Sequence, residues 1–353
     1  MKIKIGGKTI GEENKVFIVA ELSANHNQNF DVAVESIRAI KECGADAVKI
    51  QTYTADTLTI DSDKEYFKIQ QDTIWDGATL YQLYQSAYTP WEWQLKLKKL
   101  AEELGMIFFS TPFDKSAVDF LEKLNVPAYK IASFEIVDIP LIEYTASKKK
   151  PIIISTGIAT EEEIKEAIKA CKRVGNNQIA LLKCTSEYPA PIEDANLKAI
   201  LFLKDKFKTV VGLSDHSLGT IVPIAAAAIG ARIIEKHFIL DKKLGGPDST
   251  FSLEPAEFKL MVDEIRRVEK ALGEINPKLN DKIKKSRLFA RSLFVVKDIK
   301  VGEKFTEENV RSIRPSYGLP PKHIKEILGK KAKQNIERGT PLSWNLIDRH
   351  KKK

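Results

Sequence analysis

Eight runs of β-branched, aromatic and small apolar residues recur through the first two thirds of this 353-residue chain: "FIVAEL" (17–22), "AVKIQTY" (47–53), "MIFFSTPF" (106–113), "YKIAS" (129–133), "PIIISTG" (151–157), "IALLKCTS" (179–186), "VVGLSDH" (210–216) and "RIIEKHF" (232–238). Runs of this length and composition predict strands. Amphipathic stretches separate them, among them "DVAVESIRAIKECG", "KSAVDFLEKLN", "TEEEIKEAIKACKRVG" and "GTIVPIAAAAIGA". Several end at or beside a glycine, the residue helices favour just past their last turn. Strand and helix alternating eight times over about 250 residues is the pattern of an α/β chain folded as a (β/α)8 TIM barrel. An open, doubly wound sheet is the structural alternative, but no GxGxxG follows the first strand.

One connection breaks the rhythm, because about fifty residues separate "KIQTY" from "MIFFS". Its segment "YFKIQQDTIWDGATLYQLYQSAYTPWEW" carries three of the four tryptophans and four tyrosines. Two readings stand: a lid that walls a substrate at the barrel mouth, or a helical hairpin whose aromatics pack on the barrel rim. After "VDEIRRVEKALGE" the βα alternation stops. The expected organisation is a barrel over 1–273, a linker over 274–289, and a small, mostly β domain over 290–353 with short helical turns such as "PPKHIKEILG".

The formal charge of +8 is unevenly placed: from residue 278 onward 21 Lys and Arg face 8 Asp and Glu, a net of +13, so the rest of the chain carries −5. No aromatic–basic RNA-binding pattern and no arginine-rich helix accompanies the basic segment, so no nucleic-acid partner is expected. No apolar run approaches the ~20 residues of a membrane helix, and the first residues lack the apolar core of a secretion signal. A cytoplasmic protein without a membrane partner is the expectation. Cys43, Cys171 and Cys184 are odd in number and far apart, which suggests buried free thiols rather than disulfides or a thiolate metal site.

Chemistry in βα barrels is built at the C-terminal ends of the strands. Here those ends carry Glu21, Asn25 and His26; Lys49 and Gln51; Ser110 and Thr111; Lys130 and Ser133; Ser155 and Thr156; Lys183, Thr185 and Ser186; Ser214, Asp215 and His216; Glu235, Lys236 and His237. A single polar residue at a strand end is ordinarily a cap or turn former. Eight such ends, with four lysines among hydroxyls, suggest a cavity for a phosphate or carboxylate, as in a small phosphorylated acid. Lysines inside a barrel also leave open a Schiff-base aldolase. His216 and His237 end adjacent strands, whose spacing lets two imidazoles share a divalent metal. Alternatively, Asp215 and Glu235 hold the two histidines as structural partners. The loop "DKKLGGPDSTFSLEP" presents Asp248.

Taken in order, "AELSANHN", "KIQTYTAD", "FFSTPFD", "YKIAS", "IISTG", "LLKCTSEYP", "GLSDHSLG", "EKHF", "GPDSTFSLEP" and "IRPSYG" resemble the sialic acid synthase family over nearly the whole chain. The resemblance implies a (β/α)8 barrel joined to an antifreeze-like (SAF, β-clip) domain, and a homodimer in which that domain covers the partner's barrel. It implies condensation of phosphoenolpyruvate with an open-chain amino-sugar aldehyde to a nine-carbon 2-keto acid and phosphate. By the same resemblance Lys49, Thr111, Lys130, Ser133, Ser155, Ser186 and Ser214 hold phosphoenolpyruvate. His216 and His237 hold a divalent metal, Mn²⁺ or Mg²⁺. Glu21, Gln51, Tyr188, Glu235 and Asp248 line the sugar site, with Glu21 and Glu235 as candidates for proton handling, and Arg314 reaches in from the other subunit. At position 186 many members carry Asn where this chain has Ser. Within the family, "ELSANHN", "QTYTADTLTID" and "GGPDSTFSLEP" are most similar to the branch that uses 2,4-diacetamido-2,4,6-trideoxy-L-altrose to make pseudaminic acid; the alternatives are the N-acetylneuraminate and legionaminate branches. An ice- or carbohydrate-binding role for the second domain is disfavoured by the dense charge of "KDIKVGEKFTEENVRSIR".

Overall fold

A computed structural model describes residues 1–70, 75–273 and 279–348. Part of the aromatic insertion (71–74), the start of the expected linker (274–278) and the last five residues lie outside the described residues. The chain divides into two compact units, Met1–Gly273 and Glu274–Lys353.

The first unit opens with an antiparallel hairpin, β1 (Lys2–Ile5) and β2 (Lys8–Gly11). Eight strands then follow: β3 (Phe17–Glu21), β4 (Ala47–Thr52), β5 (Ile107–Pro112), β6 (Tyr129–Ile131), β7 (Ile152–Ser155), β8 (Ile179–Cys184), β9 (Val210–Asp215) and β10 (Ile233–His237). Each pairs in parallel with the next, and β10 pairs with β3, so the sheet closes into a barrel. The (β/α)8 barrel expected from the strand count is present, and the open-sheet alternative is excluded by that closure.

Between strands the apolar periodicity forms helices where expected, including Phe30–Glu42, Lys115–Lys123, Glu161–Arg173 and Ile221–Ala228. The helix at Glu161 starts with a reciprocal cap: Thr160 accepts from the Glu163 N–H at 3.3 Å, while the Thr160 N–H donates to the Glu163 carboxylate at 2.7 Å. It stops ahead of Gly175, whose φ of +74° suits a residue without a side chain.

Strand side chains alternate between the faces of the sheet, and that alternation creates two cores. Outward-facing residues such as Ile18, Val48, Phe108 and Ile154 pack with the helices. Inward-facing residues Phe17, Val19, Ala47, Phe109, Ile153, Leu182 and Ile233 fill the barrel's N-terminal end, joined by Ile3, Ile5 and Ile10 of the hairpin. All three cysteines are free and buried. Among the described residues no helix is long and apolar enough to cross a membrane.

The second unit has its own core, including Leu293, Val295, Phe305, Val310, Ile336 and Leu342. It is built around β11 (Ser292–Val295) paired antiparallel with β12 (Val310–Ile313). Short helical segments at Asp281–Ser286 and Arg287–Phe289 occupy most of the described part of the stretch read as linker.

Gly212 of β9 shows how tightly the inner wall is packed, since a Cβ there would lie 2.3 Å from the Ile233 carbonyl oxygen and 2.7 Å from Leu182 Cδ2. Backbone on the next strand cannot yield as a flexible side chain can. Gly212→Ala is expected to lower stability by about 1–3 kcal/mol, read as a shift in the denaturant midpoint at unchanged slope.

Candidate active site

On the inner face of each barrel strand, the apolar layer gives way two residues later to a polar or ionisable side chain. Val19 is followed by Glu21, Ala47 by Lys49 and Gln51, Phe109 by Thr111, Ala128 by Lys130, Ile153 by Ser155, Leu182 by Cys184, Gly212 by Ser214, and Ile233 by Glu235 and His237. These groups form the floor of a cavity of about 430 Å³ at the C-terminal end of the barrel. Ser133, Ser186, Tyr188, His216 and Asp248, from the loops beyond, complete its polar lining. Fourteen of the residues named from sequence therefore share one cavity. Arg314 is exposed in the second unit, just after β12.

The floor holds two buried ammoniums and two buried carboxylates. Lys49 Nζ lies 2.6 Å from Glu21 Oε2 and 3.7 Å from Glu235 Oε1, and donates to Thr111 Oγ1 at 3.2 Å. Lys130 Nζ lies 3.8 Å from the same Glu235 oxygen, which also accepts from Ser214 Oγ at 3.0 Å. Burial pulls the Lys130 ammonium below its ordinary range, with Glu235 opposing. Burial likewise pushes the Glu21 carboxyl up to about 7 against the pull of Lys49. An anion arriving here meets two ammoniums already stripped of water, where charge interactions are strong.

Beside the ammoniums the hydroxyls form a cradle. Ser133 Oγ accepts from the Ile158 N–H at 3.2 Å and from Ser186 Oγ at 2.7 Å, so its own proton is left to donate. Ser155 Oγ is buried without a hydrogen-bond partner. Gly157 lets these chains converge: a Cβ there would stand 2.2 Å from Ser186 Oγ and 2.6 Å from Ser133 Oγ.

The two histidine rings lie 5.3 Å apart, centroid to centroid, against Phe251. His216 Nδ1 donates to the Thr185 carbonyl at 2.9 Å, which leaves Nε2 as the ring's acceptor. His237 Nδ1 is buried without a hydrogen bond, 3.7 Å from Asp248 Oδ2. Burial, then His216, holds His237 well below its ordinary range, so the ring is neutral, as a metal ligand must be. Among the described residues no group of three or more His, Cys, Asp and Glu side chains is disposed to hold a metal. A pair in which one ring donates its Nδ1 to a backbone carbonyl and the other keeps an unsatisfied nitrogen still fits a divalent ion completed by water or substrate oxygens. The alternative in which Asp215 and Glu235 brace the histidines fails, because Asp215 bonds Lys236 and Ser217 while Glu235 faces Ser214 and the lysines.

Several strand-end residues do not enter the cavity. Lys183 Nζ binds the Cys184 carbonyl and Thr185 Oγ1, and Lys236 Nζ binds Asp215, so two of the four expected lysines face away. Ser110 bonds Thr52 and the Ile50 carbonyl, Thr156 the Leu182 carbonyl, Asn25 the Phe238 carbonyl, and His26 Thr89. The aromatic insertion divides between its two readings. Trp75 joins the cavity wall with Leu58, Ile69, Leu83 and Tyr84, and its Nε1 donates to the Pro247 carbonyl at 3.1 Å. Trp91 stacks on Phe120, and Trp93 packs against His26 and Phe30, as the rim reading expects.

Glu135, on the helical turn after β6, lines the cavity and was not singled out from sequence. Its Oε2 is buried without a hydrogen-bond partner, and burial pushes the carboxyl up to about 7, with Lys130 opposing. The signal was one acidic residue two positions past "YKIAS".

The chain matches the model of the NeuB family over residues 36–277 and that of the SAF domain over 290–348. It is 54% identical over 333 residues to the pseudaminic acid synthase of Helicobacter pylori, covering 94% of this chain and 98% of that one. It is 53% identical over 330 residues to the pseudaminic acid synthase of Campylobacter jejuni serotype O:2, covering 94% and 96%. The crystal structure of N-acetylneuraminic acid synthetase from Leptospira borgpetersenii, in complex with citrate, superposes with a TM-score of 0.73 at 34% identity, covering 81% of this chain and 95% of that one.

A carboxyl whose folded-state pKa is raised favours folding at low pH, and the advantage is lost as pH rises from the ordinary carboxylate range through the raised value. Glu135→Gln is therefore expected to raise the thermal midpoint by several degrees at pH 8 and to change it little at pH 4, measured without ligands. An equal shift at both pH values would count against a protonated, buried Glu135.

Proposed function

Because the chain belongs to the NeuB family, with a SAF domain following, we propose that it makes pseudaminic acid, the product for which its 53–54% identical relatives are named, by condensing phosphoenolpyruvate with 2,4-diacetamido-2,4,6-trideoxy-L-altrose and releasing phosphate. The observation that carries this reading is the placement of two inward, buried ammoniums and a hydroxyl cradle beside a pair of adjacent histidines.

Lys49 and Lys130, with Thr111, Ser133, Ser155, Ser186 and Ser214, hold the phosphate and carboxylate of phosphoenolpyruvate and stabilise the charge that leaves as phosphate. His216 and His237 hold a divalent ion, Mn²⁺ or Mg²⁺, which when bound supplies Lewis-acid polarisation of the sugar aldehyde. C3 of phosphoenolpyruvate bonds to the aldehyde carbon, and the aldehyde oxygen takes up a proton. Water adds to the cationic C2, losing a proton, and the tetrahedral centre then collapses: the C2–O bond to phosphate breaks as the new hydroxyl becomes the keto group and gives up its proton. Glu21 and Glu235 flank Lys49 and are the groups placed to handle these protons; at about 7, Glu21 titrates where a neutral-pH catalyst needs it. Gln51, Tyr188 and Asp248 position the sugar, whose methyl and acetamido groups suit the apolar wall of Leu58, Ile69, Trp75, Leu83 and Tyr84.

The protein acts as a homodimer in this reading, with Arg314 completing the partner's site. Large apolar side chains exposed on the four loops after β6 to β9, among them Phe134, Ile158, Ile192 and Leu218, support an interface on that rim. It works in the cytoplasm, where phosphoenolpyruvate is made. Hybrid dimers formed from Arg314→Ala and His216→Ala chains are expected to regain activity that neither variant has alone; verified hybrids without recovery would refute the shared site.

The deciding assay is phosphate release from phosphoenolpyruvate with Mn²⁺, comparing the diacetamido-trideoxy-altrose with N-acetylmannosamine, with a chelator control. Chelator-sensitive release with the altrose sugar, and a nine-carbon acid of matching mass, is the expected result. Release with N-acetylmannosamine alone would assign the N-acetylneuraminate branch. Release only with the corresponding diacetamido sugar of the legionaminate series would assign that branch.

A further inference from the structure

Asp215 and Lys236 stand immediately beside the two cavity histidines in sequence, yet point the opposite way. They are paired neighbours in the register of β9 and β10, so their outward side chains meet directly behind the site. Lys236 Nζ lies 2.5 Å from Asp215 Oδ2, with side-chain exposures of 0% and 4%. The same ammonium donates to the Ser217 carbonyl oxygen. Asp215 Oδ1 in turn accepts from the Ser217 N–H at 3.1 Å and from Ser217 Oγ at 2.7 Å. The residues on both sides of His216 are thus tied to the residue preceding His237.

Replacing a buried ion pair with apolar residues of similar volume is often neutral or stabilising, so stability alone is a weak reason for one at this position. Its location supplies a better reason. The His216 carbonyl is held by the Ala190 N–H at 3.0 Å, from the loop before β9, and the His237 carbonyl by the Leu253 N–H at 2.9 Å, from the loop after β10, so neither bond joins the two histidine segments to each other. The Asp215–Lys236–Ser217 cluster joins the two histidine-bearing segments by side chains on the face away from the cavity. We propose that it is a positioning device: it sets the separation and height of His216 and His237 and so determines how tightly the pair holds a divalent cation. This rests on the metal reading of the histidines and assigns a role to residues that touch neither metal nor substrate.

The test uses the full-length dimeric or monomeric protein as isolated, stripped with chelator, and measures Mn²⁺ affinity from the electron paramagnetic resonance signal of the free ion, without substrates. Asp215→Asn combined with Lys236→Met removes the cross-strand tie while leaving no lone buried charge and retaining the acceptor for Ser217. The expected result is a loss of Mn²⁺ affinity of about 10- to 100-fold, the range seen when groups supporting metal ligands are removed. The chelated protein's thermal midpoint and its metal-free affinity for phosphoenolpyruvate stay close to wild type. Ser217→Ala, which keeps the ion pair and loosens its hold on the loop, serves if the double variant does not fold, with an expected loss of about tenfold, the lower end of the same range. Wild-type Mn²⁺ affinity in a folded variant of either kind would overturn the proposal. Absence of Mn²⁺ binding by the wild type would instead overturn the metal reading, and this inference with it.

Discussion

Everything at this site depends on the two-residue repeat of a strand in a closed parallel barrel. Each strand turns alternate residues toward a common axis, so eight separate stretches of sequence deliver their side chains to one small volume. Near the N-terminal end those side chains are apolar and fill the barrel; two residues farther on they become Glu21, Lys49, Thr111, Lys130, Ser155, Ser214 and Glu235. The hairpin residues Ile3, Ile5 and Ile10 complete the apolar layer beneath them. With apolar packing below and the insertion above, the charged groups lie in a poor solvent for charge, and their mutual geometry therefore matters.

Burying ionised groups is costly unless partners compensate. Lys49 sits between two carboxylates and keeps its charge readily, whereas Lys130 has the more distant Glu235 contact and the Ile131 carbonyl, and is pulled down by burial. The floor is balanced without ligand but not saturated: Ser155 Oγ, Glu235 Oε2 and His237 Nδ1 are buried without hydrogen bonds. Such unsatisfied groups are expected where a ligand is to supply the missing partners. A phosphate or carboxylate would serve Ser155 and a cation would serve His237, whereas Glu235 Oε2, an acceptor, calls for a donor such as a sugar hydroxyl or N–H.

Much of this was legible in the sequence, because an eightfold alternation of strand and helix has few solutions and strand ends are where such barrels place chemistry. Strand-end clusters of polar residues overstate the cavity lining. In "SDH" and "EKH" three polar residues are consecutive, yet neighbours on a strand cannot share a face. Parity from the preceding apolar residues, Ile233 to Glu235 to His237, already sends Lys236 outward. The same rule separates Lys183 and Ser110 from the cavity. Glu135 escaped for another reason: it stands on a helical turn beyond the strand, where period-two reasoning ends. The insertion's aromatic content indicated a wall but not which rings would form it, since Trp75 and Trp91 differ in tertiary partners rather than in local pattern.

In the proposed reaction the barrel floor holds the phosphate while a new bond forms at C3, and the phosphate leaves from carbon. This is tested most directly by running the reaction on phosphoenolpyruvate labelled with ¹⁸O at the bridging oxygen between C2 and phosphorus and weighing both products. Water addition at C2 followed by C–O cleavage places the label in the released phosphate. Label retained in the nine-carbon acid would mean that the P–O bond breaks instead, and would contradict the roles assigned to Lys49, Lys130 and the two glutamates.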